Sequence, residues 1–187
     1  MKNKLVYLTG FMGSGKSTVG PILANTLGWN FYDLDHVIEK KTGQKIRAIF
    51  DEKGEDFFRK LETETLKEIS DENELIVSLG GGTIVSDTNL EILKSHGTII
   101  FLESSFDSIY KRLRYKRDRP VLMASNEEEV KRDEFINRIS KIYLERKKYY
   151  EQADIKINTD KISVGETVDK INKIVNNFFS ERNKERC

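Results

Sequence analysis

The sequence of 187 residues is poor in cysteine, proline and histidine. Its one cysteine, Cys187, excludes a disulfide framework and a zinc cluster of thiolates, and a reducing compartment such as the cytoplasm fits this usage. No apolar run approaches the ~18 residues of a membrane span, and the first residues lack the pattern of a signal peptide. We therefore expect a cytoplasmic protein with no membrane partner.

An excess of charge of one sign is also missing. Lys and Arg together number 32 and Asp and Glu 31, which gives a formal net charge of +1. Because surfaces that bind nucleic acid usually carry a basic excess, we expect no nucleic-acid partner, and any anion site must be local. The sequence has no internal repeat and no linker-like segment, which favours a single domain over residues 1–187 and, by default, a monomer.

Short apolar runs alternate with helical patterns along the chain. The apolar runs predict strands at residues 5–8, 31–34, 75–77, 98–102 and 155–157. Apolar residues at three- and four-residue intervals predict helices at 16–27, 36–41, 57–69, 106–113, 130–152 and 164–179. This alternation predicts a three-layer α/β fold, a doubly wound parallel sheet of five strands with helices on both faces. Ligands of such sheets bind beyond the carboxyl ends of the strands.

The clearest motif is a glycine-rich loop between the first strand and the first helix. Residues 10–17, GFMGSGKS, fit the pattern G-x-x-x-x-G-K-[ST], which binds the phosphates of a nucleoside triphosphate. Glycines let backbone N–H groups approach the phosphates, the lysine reaches the β- and γ-phosphates, and the hydroxyl ligates Mg²⁺. We therefore assign nucleotide binding to Gly13, Ser14, Gly15, Lys16, Ser17 and Thr18, with Lys16 also catalytic and Ser17 a ligand of Mg²⁺.

Two aspartates, Asp33 and Asp35, stand at the predicted end of the second strand. In an extended chain, side chains two residues apart point the same way, here toward the ligand edge of the sheet. One carboxylate could hold Mg²⁺ through water while the other orients the hydroxyl of a phosphoryl acceptor. The alternative is that an aspartate caps the helix that follows.

A helix and a run of glycines offer a place for an acidic acceptor. Arg59 and Glu62 are three residues apart on one side of a predicted helix, so Glu62 could pair with Arg59 and aim its guanidinium at a carboxylate. The alternative is an ordinary surface ion pair. Gly80, Gly81 and Gly82 follow the third predicted strand, and three glycines together suit the close approach of a ligand.

A basic stretch lies between the fourth strand and the long helix. Residues 111–119 carry six basic side chains, and the acidic run 127–129 follows. A nucleic-acid patch and a solvated helix end are two interpretations, but the single aromatic residue and the near-neutral charge argue against the first. We favour a lid over about residues 112–127, an arginine-rich loop that closes over the triphosphate and excludes water.

Six segments together resemble one family. GFMGSGKSTVG, FYDLD, FFRKLE, SLGGGT, RPVL and RKKYYEQAD occur in this order over about residues 5–159 and are similar to the shikimate kinase family, of the nucleoside monophosphate kinase fold. The resemblance implies an enzyme that transfers the γ-phosphoryl group of ATP, with Mg²⁺, to the 3-hydroxyl of shikimate, in aromatic amino acid biosynthesis. A kinase of the same fold for another acceptor, such as gluconate or a nucleoside monophosphate, and a nucleotide-dependent switch without an acceptor are the alternatives.

The resemblance also implies roles for residues on the acceptor side. Several of them fall in a substrate-binding segment of about residues 33–62. Asp35 would contact the shikimate hydroxyls and act as the base, and Asp33 would lie near Mg²⁺. Arg59 and Arg146 would clamp the substrate carboxylate, with Arg138 as the other candidate for the second clamp. The pocket would be lined by Gly80, Gly81 and Gly82.

On the nucleotide side, the resemblance points to two arginines of the basic stretch. Arg119 would be the lid arginine that reaches the phosphates and contributes to catalysis. Arg112 would contact the adenine.

Overall fold

The structure is a computed structural model that describes residues 3–113 and 132–184. Its strands are β1 Leu5–Thr9, β2 Asn30–Asp33, β3 Leu75–Ser78, β4 Thr98–Glu103 and β5 Ile155–Asn158. Its helices are α1 Lys16–Leu27, α2 Leu34–Thr42, α3 Ile46–Ser70, α4 Asp87–His96, α5 Phe106–Leu113, α6 Arg132–Tyr150 and α7 Val164–Lys184. None of the helices described is long and apolar enough to cross a membrane.

The five strands form one parallel sheet in the order β2-β3-β1-β4-β5. Successive residues of the central strands enter two separate cores, because side chains alternate between the faces of a sheet. Leu5 and Tyr7 belong to the core that α2 to α6 cover, and Val6 and Leu8 to the core that α1 and α7 cover. The predicted three-layer α/β fold is thus confirmed.

Two helical regions differ from the sequence prediction. The prediction contained no helix between β3 and β4, where α4 begins after Ser86, whose hydroxyl accepts a hydrogen bond from the backbone N–H of Asn89. The helix predicted at 57–69 begins earlier, at Ile46, and is interrupted at Gly54, which has φ 81° and ψ 171°. These angles lie in a region that glycine alone adopts readily, so α3 consists of two helical segments joined at Gly54.

The predicted lid lies mostly outside the described residues. Arg112 and Leu113, at the end of α5, are described, whereas residues 114–131, and Arg119 with them, are not. The first two residues of the helix predicted at 130–152 fall in the same gap.

Candidate active site

A cavity of about 560 Å³ lies at the carboxyl ends of three neighbouring strands. β1 leads into the phosphate loop (residues 10–17), β2 ends at Asp33, and β3 leads into residues 80–82, which we call the glycine wall. All three segments line the cavity, together with Arg112 and Arg146. The cavity therefore stands where a doubly wound sheet is expected to bind its ligand.

The phosphate loop is a backbone structure that ends at the first turn of α1. Gly13 and Gly15 have φ of 77° and 110°, which residues with a side chain rarely adopt. Lys16 folds back over the loop, and its ammonium donates hydrogen bonds to the carbonyl oxygens of Gly10 at 2.7 Å and Phe11 at 3.2 Å. Residues 13–18, which run from the loop into the first turn of α1, all line the cavity. Backbone N–H groups at a helix N-terminus, with a lysine beside them, form a phosphate site.

The two aspartates do not lie in one extended strand, so that prediction was wrong. β2 ends at Asp33, whose Oδ1 accepts a hydrogen bond from the backbone N–H of His36 at 3.4 Å and caps α2. Because this cap starts the helix, Asp35 lies in the first turn of α2 rather than in the strand. The capping alternative was therefore correct for Asp33, and both carboxylates nevertheless line the same cavity.

The glycine wall is packed against the other predicted site residues. A Cβ atom at Gly80 would lie 2.8 Å from Oδ1 of Asp35, and one at Gly82 would lie 2.9 Å from Nη2 of Arg59. Because real Cβ contacts are essentially never below 3.0 Å, a side chain at either position would force the end of Asp35 or Arg59 to shift. The glycines therefore let Asp35 and Arg59 keep these positions against the wall.

Arg59 and Glu62 form an ion pair that is buried on one side. Nη1 of Arg59 lies 2.9 Å from Oε2 of Glu62, whose side chain is 1% exposed, while Nη2 pairs with the exposed Glu55 at 3.0 Å. Burial works against the charge of Arg59, but Glu62 and Glu55 together raise the pKa of Arg59 above its ordinary value. The pair is thus not the ordinary surface ion pair, because Glu62 gives the guanidinium a fixed partner inside the protein. Arg59 itself packs on Gly82, which lines the cavity, whereas Arg59 is not one of the described residues that line it.

The sequence analysis missed a chain of hydrogen bonds behind the glycine wall. The hydroxyl of Thr83 donates to Oε1 of Glu62 at 2.6 Å, and the side-chain amide of Asn89 donates to the carbonyl oxygen of Thr83 at 2.8 Å. Asn89 in turn accepts a hydrogen bond from the hydroxyl of Thr63 at 2.8 Å. Glu62, Thr83 and Asn89 are all at most 1% exposed. Threonine and asparagine carry no distinctive signal in the sequence, and only their position after the glycines could have suggested this role.

Of the two arginines considered on α6, the structure brings Arg146 to the cavity. Its Nη1 donates to the carbonyl oxygen of Gly81 at 2.8 Å. Arg138 instead pairs with Glu134, one turn earlier on the same helix, and both side chains are about half exposed. The hydroxyl of Tyr150 donates to the same Gly81 carbonyl at 3.2 Å, a contact that the sequence analysis did not anticipate.

Arg112 joins the phosphate loop to the end of β5. Its guanidinium donates to the carbonyl oxygens of Gly13 at 3.1 Å and Thr159 at 3.0 Å, and to the hydroxyl of Ser104 at 2.9 Å. Thr159, which was not predicted, lines the cavity next to Ile162 and Thr167. Arg112 therefore borders the phosphate loop on the side away from Asp35.

The cavity offers two oxygen donors for a magnesium ion. The hydroxyl of Ser17 and the carboxylate of Asp33 belong to residues that line it. Mg²⁺ in nucleotide sites takes one or two protein oxygens and completes its shell with phosphate oxygens and water. In the part of the chain that the structure describes, no three His, Cys, Asp or Glu side chains are grouped to hold a metal ion by themselves. The residues thus fit a Mg²⁺ ion that arrives with the nucleotide.

A phosphate loop on a parallel sheet of this order, in one cavity with two aspartates and an arginine from other elements, is typical of a P-loop kinase. The family model for shikimate kinase matches residues 12–176. The chain belongs to the shikimate kinase family, which confirms the resemblance seen in the sequence.

Curated relatives and solved structures agree with this assignment. A shikimate kinase of Chlorobium phaeobacteroides is 42% identical over 176 residues, which are 94% of this chain and 93% of that protein. A crystal structure of shikimate kinase from Bacteroides thetaiotaomicron has a TM-score of 0.83 at 30% identity and covers 92% of this chain and 98% of that one. Shikimate kinase from Acinetobacter baumannii in complex with shikimate has a TM-score of 0.81 at 33% identity, covering 91% and 92% of the two chains.

Proposed function

We propose that the chain transfers the γ-phosphoryl group of ATP to the 3-hydroxyl of shikimate and releases shikimate 3-phosphate and ADP. The observation that carries the proposal is one cavity lined by the phosphate loop, by Asp33 and Asp35, by the glycine wall and by Arg146, with Arg59 packed on Gly82 of that wall. Family membership supports the same activity, as do relatives named shikimate kinase and the related structure that contains shikimate.

The phosphate loop would hold the triphosphate through its backbone. The N–H groups of residues 13–18 converge on the phosphates, and the ammonium of Lys16 exchanges the carbonyl oxygens of Gly10 and Phe11 for phosphate oxygens. Since phosphoryl transfer needs positioning and charge neutralisation more than covalent help, Lys16 contributes by stabilising charge on the transferred group.

The acceptor would lie between Asp35 and the two arginines. The carboxylate of Asp35 accepts the proton of the attacking hydroxyl, which gives Asp35 the role of base. Arg59 and Arg146 bind the carboxylate of shikimate at the other end of the molecule. Gly80 and Gly82 allow these groups to approach, because a side chain at either position would collide with Asp35 or Arg59.

Ser17 and Asp33 would hold Mg²⁺ on the phosphate side of the cavity. When bound, the ion neutralises charge on the phosphates. Asp33 keeps its capping bond to His36 through Oδ1, which fixes its carboxylate at the end of β2.

The remaining assignments rest on the resemblance. We infer from it that Arg119 reaches the phosphates from the lid and that Arg112 contacts the adenine. The cysteine usage favours the cytoplasm, and a monomer acting on small molecules is the default expectation. The contacts of Arg112 with Gly13 and Thr159 support a position beside the nucleotide, because they hold it at the border of the phosphate loop.

The test is a coupled assay of ADP release with ATP and Mg²⁺, run with shikimate, with gluconate, with a nucleoside monophosphate and with no acceptor. We expect shikimate-dependent ADP at about 1–100 per second, as kinases commonly show. Turnover with gluconate or with the nucleoside monophosphate, but not with shikimate, would contradict shikimate as the acceptor while still showing a kinase. Acceptor-independent hydrolysis, or tight ATP binding without turnover, would instead indicate a nucleotide-dependent switch.

A further inference from the structure

Tyr150 is held rigidly at the end of α6. Its side chain is 1% exposed. The ring stacks on that of Phe101 in β4, with centroids 4.8 Å apart and planes only 2° from parallel, and it also contacts the ring of Tyr143. A tyrosine has few rotatable bonds, so packing on both sides fixes where its hydroxyl stands.

The hydroxyl of Tyr150 and the guanidinium of Arg146 share one acceptor. Both donate to the carbonyl oxygen of Gly81, at 3.2 Å and 2.8 Å. The two residues are four apart on α6 and therefore lie on the same face of the helix. Burial raises the pKa of Tyr150 above its ordinary value, against a smaller opposing effect of Arg146, so the phenol remains a protonated donor.

Arg146 depends on a well-placed acceptor, because its guanidinium donates to the carbonyl oxygen of Gly81. A long arginine side chain loses much rotational freedom when it is fixed, and Gly81 has no side chain that could hold it. A Cβ atom at Gly81 would lie 3.4 Å from Nη1 of Arg146, which shows how closely the guanidinium lies on the wall. A rigid hydroxyl on the same carbonyl fixes both the wall and the arginine.

We propose that Tyr150 is a positioning residue for the acceptor carboxylate, acting through Arg146 and the Gly81 carbonyl without touching the acceptor. The proposal rests on the proposed function, in which Arg146 binds the carboxylate of shikimate. It predicts that the hydroxyl of Tyr150 affects acceptor binding but neither nucleotide binding nor the rate of transfer at saturation.

The test compares Tyr150→Phe with Tyr143→Phe. Each change removes one phenol hydroxyl from the same helix and the same aromatic cluster, and Tyr143 is not a donor to the Gly81 carbonyl in the described part of the chain. We expect Tyr150→Phe to raise the KM for shikimate about three- to tenfold, the range that one hydrogen bond is worth, with kcat and the KM for ATP unchanged. Tyr143→Phe should leave all three constants unchanged.

A second arm tests whether the effect passes through the carboxylate. The methyl ester of shikimate lacks the charge that Arg146 would bind, so wild type and Tyr150→Phe should bind it equally in a calorimetric titration. An equal loss for shikimate and its ester would overturn the proposal, because the hydroxyl would then act on the pocket in general. A lower melting temperature with an unchanged KM for shikimate would also overturn it, since Tyr150 would then be only structural.

The two proposals fail in different ways. If wild-type protein releases no ADP with shikimate, the proposed function is wrong and this inference falls with it. If wild type turns over and the two tyrosine variants have equal constants, only the positioning role of Tyr150 is wrong.

Discussion

The two halves of the cavity are built from different materials. The half proposed for the nucleotide is one continuous segment, residues 10–18, which offers backbone groups and a single lysine. The acceptor half combines side chains from four helices, with Asp35 on α2, Arg59 and Glu62 on α3, Asn89 on α4 and Arg146 on α6. The first half is therefore encoded locally, whereas the second exists only after the chain has folded. Substitutions in the two halves should separate nucleotide binding from acceptor binding.

The largest effect is expected in the acceptor half, at Asp35. Asp35→Asn keeps the size of the side chain but removes the carboxylate that we propose as the base, and we expect kcat to fall about 10²- to 10⁴-fold. Affinity for ADP, measured by calorimetry, should stay at the wild-type level. Asp51→Asn, on an exposed carboxylate that pairs with Arg47, serves as the control. Wild-type turnover by Asp35→Asn would remove Asp35 as the base.

Lys16→Ala should break the nucleotide half in a different way. Loss of the ammonium removes charge that would stabilise the phosphates, so we expect kcat to fall about 10²- to 10³-fold and ATP affinity to fall with it. The comparison with Asp35→Asn distinguishes the halves, since only Lys16→Ala should weaken nucleotide binding. Lys41→Ala, which removes an exposed partner of Glu68, is the control. An equal ATP affinity in Lys16→Ala and Asp35→Asn would contradict the separation of nucleotide binding from acceptor binding.

Gly82→Ala tests whether the glycine wall gives room to Arg59. The added Cβ would lie 2.9–3.2 Å from three guanidinium atoms, so Arg59 must move. A displacement of about 1 Å in a positioning group can cost roughly 10²-fold, and we expect a loss of that order in kcat/KM for shikimate. Gly165→Ala adds a methyl group with its nearest neighbour 3.9 Å away and should have no effect. Unchanged kinetics of Gly82→Ala would show that this glycine is not required by Arg59.

Glu62→Gln should have a smaller effect on the same arginine. The glutamine keeps the shape but turns a charge-assisted hydrogen bond into a neutral one, and we expect the KM for shikimate to rise about tenfold. The control is Glu55→Gln, which pairs with the same arginine from a side chain 64% exposed and should change the KM for shikimate less than about twofold. Equal effects from the two variants would mean that burial of Glu62 does not matter for aiming Arg59.

The smallest kinetic effect is expected from a glycine of the scaffold. A Cβ at Gly20 of α1 would lie 2.4 Å from the ring of Phe31, so Gly20→Ala overpacks the core that α1 and α7 cover. Such overpacking costs about 1–3 kcal/mol, which corresponds to a melting temperature lower by roughly 2–12 °C. Kinetic constants at 25 °C should be unchanged. A large change in KM with a normal melting temperature would contradict this division, because Gly20 would then affect the site, as Gly82 is expected to, and not the stability of the core.

This division also explains what the sequence could predict. The strands, the sheet and the phosphate loop follow from local patterns, and the structure agrees with them. The position of Asp33 was ambiguous from the sequence, because an aspartate fits both a strand end and a helix cap. The hydrogen bond from the backbone N–H of His36 shows that Asp33 caps α2.

The acceptor half was harder to predict, because its partners are far apart in the sequence. Glu62 and Thr83 are separated by 21 residues, and Tyr150 and Gly81 by 69. No spacing rule connects such pairs, so the buried network and the role of Tyr150 required the fold. Arg59 and Glu62, one helical turn apart, could be paired from the sequence, but the burial of Glu62 could not.

The sheet itself sets the spacing between the phosphate loop and the glycine wall where each leaves its strand. β1 and β3 are direct neighbours, with Leu8 opposite Ser78, and the N–H of Leu79 donates to the carbonyl oxygen of Leu8 at 3.0 Å. The phosphate loop and the glycine wall thus leave two strands at the same height, one interstrand spacing of about 4.8 Å apart. Backbone hydrogen bonds, rather than side chains, therefore fix how far apart the phosphate loop and the glycine wall begin. Substitutions in the side chains around the wall should therefore leave the starting points of the two segments in place, because the strand pairing does not depend on those side chains.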